Sequence, residues 1–102
     1  MKIKLVKHAD IDRAAWDHCI EKAVNGNIYA YSWYLDIVCE NWDALVDEGY
    51  KTVFPLTQRK KFGIWYLYQP FFTQQLGVYS VMHITPEIVN AFLEAIPGKY
   101  LL

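Results

Sequence analysis

Asp36 closes the run "YAYSWYLD", where Tyr29, Tyr31, Trp33 and Tyr34 precede it. A carboxylate among aromatic rings can hold a ligand amine or hydroxyl; equally, it can satisfy a tyrosine hydroxyl. Further along, "PFFTQQLGVYS" (residues 70–80) sets Gln74 and Gln75 beside a single glycine. Paired amides in an aromatic setting suit a polar substrate such as a peptide or a sugar. A phosphate cradle would need several backbone N–H groups converging at a helix N-terminus. Gly77 stands alone, and the next cap residue, Thr85, is too far downstream for it to open that helix. The plainer reading is an ordered crossover loop, with Phe71 and Phe72 packed inward and Gly77 in a turn.

Other reactive residue types form no catalytic arrangement. His18 and Cys19 are adjacent, and consecutive helix positions point about 100° apart, so they make no dyad with each other. His8, His18 and His83 have no metal-ligand spacing and read as ordinary polar or packed residues. Asp36, Glu40, Asp43, Asp47 and Glu48 form an acidic middle segment, most simply a solvated face and a turn. Cys19 and Cys39 occur in no CxxC pattern and are expected to be buried and reduced.

These residues must be positioned by one small domain. At 102 residues the chain suits a single core. Aromatics make up 17% of it, too many to spread over so small a surface, so some should line a groove or an interface. Ten basic against eleven acidic residues give a formal charge of −1, which provides no global field for nucleic acid or an anionic membrane. No apolar run approaches the ~18 residues of a membrane span, and "MKIKLVKHADIDRAAW" lacks the hydrophobic stretch of a signal peptide. A cytoplasmic location is the expectation.

"KIKLVKH" alternates Ile3 and Leu5 against Lys2, Lys4 and Val6, the period of a half-buried strand. Trp16, Cys19, Ile20 and Ala23 then follow helical spacing, with Asp10 as the expected N-cap and "NGN" (residues 25–27) as the stop. Ser32 is expected to cap a shorter helix ending near Asn41. "WDALVDEGY" reads as a strand with Trp42, Ala44 and Val46 on one face and Asp43, Leu45 and Asp47 on the other, then a turn. "KTVFPLTQ" and "FGIWYLYQ" read as a hairpin with Arg59, Lys60 and Lys61 at a solubilising tip, and with Pro55 marking a bulge or an unpaired position. Thr85, Pro86 and Glu87 open a helix whose stripe is Val89, Phe92, Leu93 and Ile96. "KYLL" begins a further strand. The order is strand, helix, helix, three antiparallel strands, helix and the start of a fifth strand, an α/β (α+β) fold.

With "SWYLDIVC", "WDALV", "VFPLTQRKKFGIWYLYQP" and "FFTQQLGVYS" in view, the chain resembles the N-terminal portion of a FemAB-like acyltransferase of the GNAT (N-acetyltransferase) superfamily. The resemblance runs from about Trp16 to the end, and is strongest in the "WYLD" helix and the "YQP…QQLG" run. It implies that residues 1–102 are one GNAT-like half-domain shaping the acceptor cleft. Trp33, Tyr34, Asp36, Gln69, Gln74 and Gln75 would face that cleft. Gln74 to Gly77 would stand in the place of the superfamily's pyrophosphate loop, used for packing or acceptor contact. It further implies acyl or aminoacyl transfer to an amine-bearing acceptor. The donor, acetyl-CoA or aminoacyl-tRNA, would be bound only with a missing C-terminal half, so the chain binds no cofactor and is not catalytic alone. The expected partner is that half or a second copy in a homodimer. The alternative is a small non-catalytic binding or self-assembly module that keeps the fold without the chemistry.

Overall fold

The computed structural model describes residues 2–23, 30–39, 41–61, 63–67, 78–82, 84–97 and 100–101. Among the described residues there are seven strands and three α-helices, in the order β1 (Ile3–Val6), α1 (Arg13–Lys22), α2 (Ser32–Val38), β2 (Asp43–Asp47), β3 (Thr52–Leu56), β4 (Gln58–Lys61), β5 (Ile64–Leu67), β6 (Tyr79–Ser80), α3 (Pro86–Glu94) and β7 (Tyr100–Leu101). A four-stranded antiparallel sheet has the order β1-β2-β3-β6, and a second sheet has the order β4-β5-β7. The protein is a mixed α/β fold.

Strand alternation sorts the core onto two faces. Val6, Ala44, Val46, Val53 and Tyr79 pack with Trp16, Cys19 and Ile20 of α1 and Leu35 of α2. The intervening positions Leu45 and Leu56 pack with Phe92 of α3, joined by Ile3, Phe54 and Val78. Because successive strand side chains point to opposite faces, α1 and α2 cover one face and α3 the other. The faces expected for Trp42, Ala44 and Val46 against Leu45 are thus found, although β2 is buried on both sides.

Local details depart from expectation. Asp10 lies in a short 3-10 turn, and the cap of α1 is Asp12, whose Oδ1 accepts from the Ala15 N–H at 3.0 Å. Ser32 is the first residue of α2, which ends at Val38. Asp17 of α1 caps that helix from outside, accepting from the Ser32 N–H at 2.7 Å and Oγ–H at 2.8 Å. Arg59, Lys60 and Lys61 belong to β4 rather than to a tip; the pair Lys61–Ile64 closes the hairpin, and Gly63 in its turn has φ 79°. Pro55 causes no bulge on the β2 side, where it stands in unbroken register opposite Ala44. Pairing of β3 with β6 reaches only Val53, two residues before it.

The loop expected over residues 70–80 ends in a strand. Val53 stands opposite Tyr79, whereas Gln58, beyond the single break at Thr57, stands opposite Leu67. The β3–β6 register is pinned by a buried hydroxyl pair, Thr52 Oγ1 and Ser80 Oγ, 2.8 Å apart. Since β6 intervenes, Gln74–Gly77 does not lead directly into α3. Phe71, Phe72 and Gly77 lie outside the described residues.

The "KYLL" strand is present as β7, which runs parallel to β5 with Tyr100 opposite Trp65 and Leu101 opposite Tyr66. A parallel neighbour needs a crossover connection, and α3 lies between the two strands in sequence. Thr85 caps α3 through its side chain, as expected. The stripe is rotated, however: Ile88, Phe92, Ala95 and Ile96 pack against the sheet, while Leu93 is 48% exposed.

Candidate functional site

The helix α2 carries three of the six sequence-proposed site residues. Trp33 is 52% exposed and meets Tyr34 edge-on, with ring centroids 5.7 Å apart. Asp36 lies on the same helix, but its carboxylate is engaged from within the protein. Arg13 Nε donates to Oδ2 at 3.2 Å, Arg13 Nη2 donates to Oδ1 at 3.0 Å, and the Trp42 indole N–H donates to Oδ1 at 2.9 Å. Arg13 and Trp42 supply these donors, rather than a tyrosine hydroxyl. Gln69, Gln74 and Gln75 lie outside the described residues.

Around Asp36 a polar network joins four elements. The ring of His8 contacts Trp42 edge-on at 5.9 Å between centroids. His8 Nδ1 is 2.9 Å from the Trp42 carbonyl, and its Nε2 is 3.3 Å from Arg13 Nη2. A carbonyl only accepts and a guanidinium only donates, so this geometry places the ring proton on Nδ1 and the lone pair on Nε2. Asp43 continues the network, accepting from the His8 N–H at 2.9 Å and from Lys7 Nζ at 3.3 Å. Below it, Trp42 packs on Trp16 at 4.8 Å, and the Trp16 indole N–H donates to the Ala30 carbonyl at 2.7 Å. The arrangement locks α1 and α2 to the start of β2.

The acidic middle segment is therefore not simply a solvated face. Asp43 is 2% and Asp47 7% exposed. Each carboxylate replaces water with protein donors, the condition for burying a charge. Asp47 Oδ1 accepts from the N–H groups of Lys51 at 2.8 Å and Thr52 at 3.0 Å. Successive amides converge this way because Tyr50 adopts a left-handed φ of 58° before the right-handed Lys51, a nest for an anion. That interaction accounts for a backbone conformation a bulky residue rarely adopts. Glu48 is exposed.

Burial pushes the Asp36 carboxyl upward, but the hydrogen bonds from Arg13 and Trp42 and the nearby positive charge outweigh it and hold it below the usual value. A depressed folded-state value means the Asp36 contribution is complete above the ordinary carboxylate range and is lost as pH falls below about 4. Asp36→Asn should therefore unfold at lower urea than wild type at pH 7, with the gap closing near pH 3; a gap that persists in acid would contradict the ionic role. The site is partly open, so added salt should shrink the effect.

Cys19 and Cys39 are buried, free thiols. Desolvation, helped by the charge of Asp47, pushes Cys19 up to about 11, and its thiol donates to the Lys51 carbonyl at 3.5 Å. A buried thiol of that acidity holds little thiolate near neutral pH and makes a poor nucleophile. Among the described residues, no group of three or more His, Cys, Asp or Glu side chains could hold a metal ion. Nor is any described helix long and apolar enough to cross a membrane. Arg13, His8 and Trp42, which organise the site, were missed from the sequence; they carry no local motif and converge only through the fold.

Compared with protein families, curated proteins and solved structures, the chain matches none.

Proposed function

We propose that the chain is the acceptor-side half of a FemAB/GNAT-like acyltransferase, serving acyl or aminoacyl transfer to an amine-bearing acceptor when a donor-binding half completes it. The observation that carries the reading is topological. Two helices stand between the first two strands of an antiparallel sheet, and α3 leads to β7, the parallel neighbour of β5. On α2, exposed Trp33 and half-buried Tyr34 are the side chains assigned to acceptor contact. Asp36 acts beside them by holding α2 to Arg13 and Trp42. The coding sequence beyond Leu102 tests the reading: a donor-binding half in the same or a neighbouring frame is expected, and a stop codon without such a neighbour contradicts it.

The donor requires that second half because α3 offers an anion little. Pro86 has no N–H, the Ile88 N–H is taken by Thr85 Oγ1 at 3.3 Å, and Glu87 places a carboxylate in the first turn. Calorimetry of this chain with acetyl-CoA should detect no tight binding, and a dissociation constant in the low micromolar range would overturn this assignment.

A second reading, the self-assembly module, is favoured by Trp33 and Ile37, one helical turn apart and 52% and 72% exposed. Light scattering over a concentration series should then show a dimer that Trp33→Asp/Ile37→Asp disperses, whereas a monomeric mass at high micromolar concentration excludes it.

A further inference from the structure

We infer that a cavity between α1 and the β2–β3 turn is a binding site for a small organic anion, separate from the acceptor side of α2. The cavity has a volume of about 450 Å³, within the range of small-molecule pockets. Its walls include Cys19, Tyr50 and Val81, and His18, Lys22 and Lys51 stand on its lining. Among the described residues no carboxylate lines it, although acidic residues outnumber basic ones in the chain.

The cations there are uncommitted. Lys7 and Arg13 are held by Asp43 and Asp36, whereas Lys22 and Lys51 form no ion pair among the described residues. Asp47 stands close enough to act on Cys19, yet its Oδ1 is already engaged by the amides of Lys51 and Thr52. Its charge disfavours an anionic group beside Cys19, which leaves Lys22 and Lys51 as the lining cations for that group; Lys51 also borders a neighbouring opening with Asp47 and Glu48.

The walls are also fixed before any ligand arrives. The Lys51 carbonyl accepts from Cys19 Sγ at 3.5 Å and from the Val81 N–H at 3.0 Å, tying the turn to α1 and to the end of β6. Tyr50 Oη accepts from the Asp12 N–H at 3.2 Å. A preformed wall loses little entropy on binding, and an aromatic ring beside cationic side chains suits a flat, apolar molecule bearing one anionic group.

Amide NMR titration of the intact chain with phenyl phosphate and phenylacetate tests the site, with benzyl alcohol as the neutral control. Saturable shifts centred on residues 15–22, 49–51 and 81 are expected for at least one anion, with dissociation constants of roughly millimolar or tighter at low salt. Lys22→Glu/Lys51→Glu should weaken that binding by about tenfold or more while leaving the spectrum folded. The relative strength of the two probes then identifies phosphate or carboxylate as the preferred group. Absence of saturable shifts for both anions, equal binding of benzyl alcohol, or binding indifferent to the charge reversal would each overturn the assignment.

Discussion

Phe92→Ala should destabilise the protein by about 3–5 kcal/mol, the cost of removing a fully buried aromatic ring and leaving a cavity. Phe92 is fully buried and forms the centre of the smaller core with Leu45 and Leu56. It is the one fully buried residue of α3, so few neighbours on the helix can collapse into its place. In a domain of this size each kcal/mol lowers Tm by roughly 4–8 °C, which makes the loss plain in a thermal melt. Leu93→Ala supplies the contrast, because that side chain is half exposed and should cost much less. Equal losses would show that the helix faces the sheet differently.

A comparable loss is expected for Trp42→Ala, again about 3–5 kcal/mol. Trp42 joins the larger core to the polar network: its ring packs on Trp16 and its N–H donates to Asp36. Trp42→Phe separates these contributions, since it keeps much of the apolar contact and removes the donor. A charge-assisted hydrogen bond contributes about 1.5–3 kcal/mol, and this one is partly open to water, so the Phe variant should fall between wild type and Trp42→Ala. Urea unfolding at pH 7 measures both. A Phe variant as unstable as the Ala variant would mean that the indole N–H contributes nothing separable from its packing.

The order of elements, apart from β6 and the break between β3 and β4, was legible because its signals are local. Thr85, Pro86 and Glu87 mark the start of α3, and Trp16, Cys19 and Ile20 repeat at helical spacing. The rotation of α3 was not legible: in a nine-residue helix the apolar positions support two overlapping stripes, and only contact with Leu45 and Leu56 selects Ile88, Phe92 and Ala95. Burial of Asp43 depends on Lys7 and His8, 35 or more positions away, which no local pattern encodes. Asp47 is different, because its amide partners lie four and five residues on; "DEGYK" carried that signal, and an acidic-face reading obscured it. The strand β6 was hidden by the register jump between Val53 and Gln58, a property of strand pairing rather than of composition. At the site, the helix carrying Trp33, Tyr34 and Asp36 was legible, whereas Arg13 and Asp36 meet across 23 positions.

Acyl transfer tests the acceptor-half proposal most directly. A labelled donor, acetyl-CoA or aminoacyl-tRNA, and an amine pool should be assayed with this chain alone, with a candidate donor-binding half from the same or a neighbouring reading frame, and with both together. Transfer is expected only when both are present, with a fall of about tenfold or more for Trp33→Ala/Tyr34→Ala in a chain that remains folded, because those rings would position the acceptor. Transfer by the donor-binding half without this chain, or full transfer with both rings removed, would contradict it.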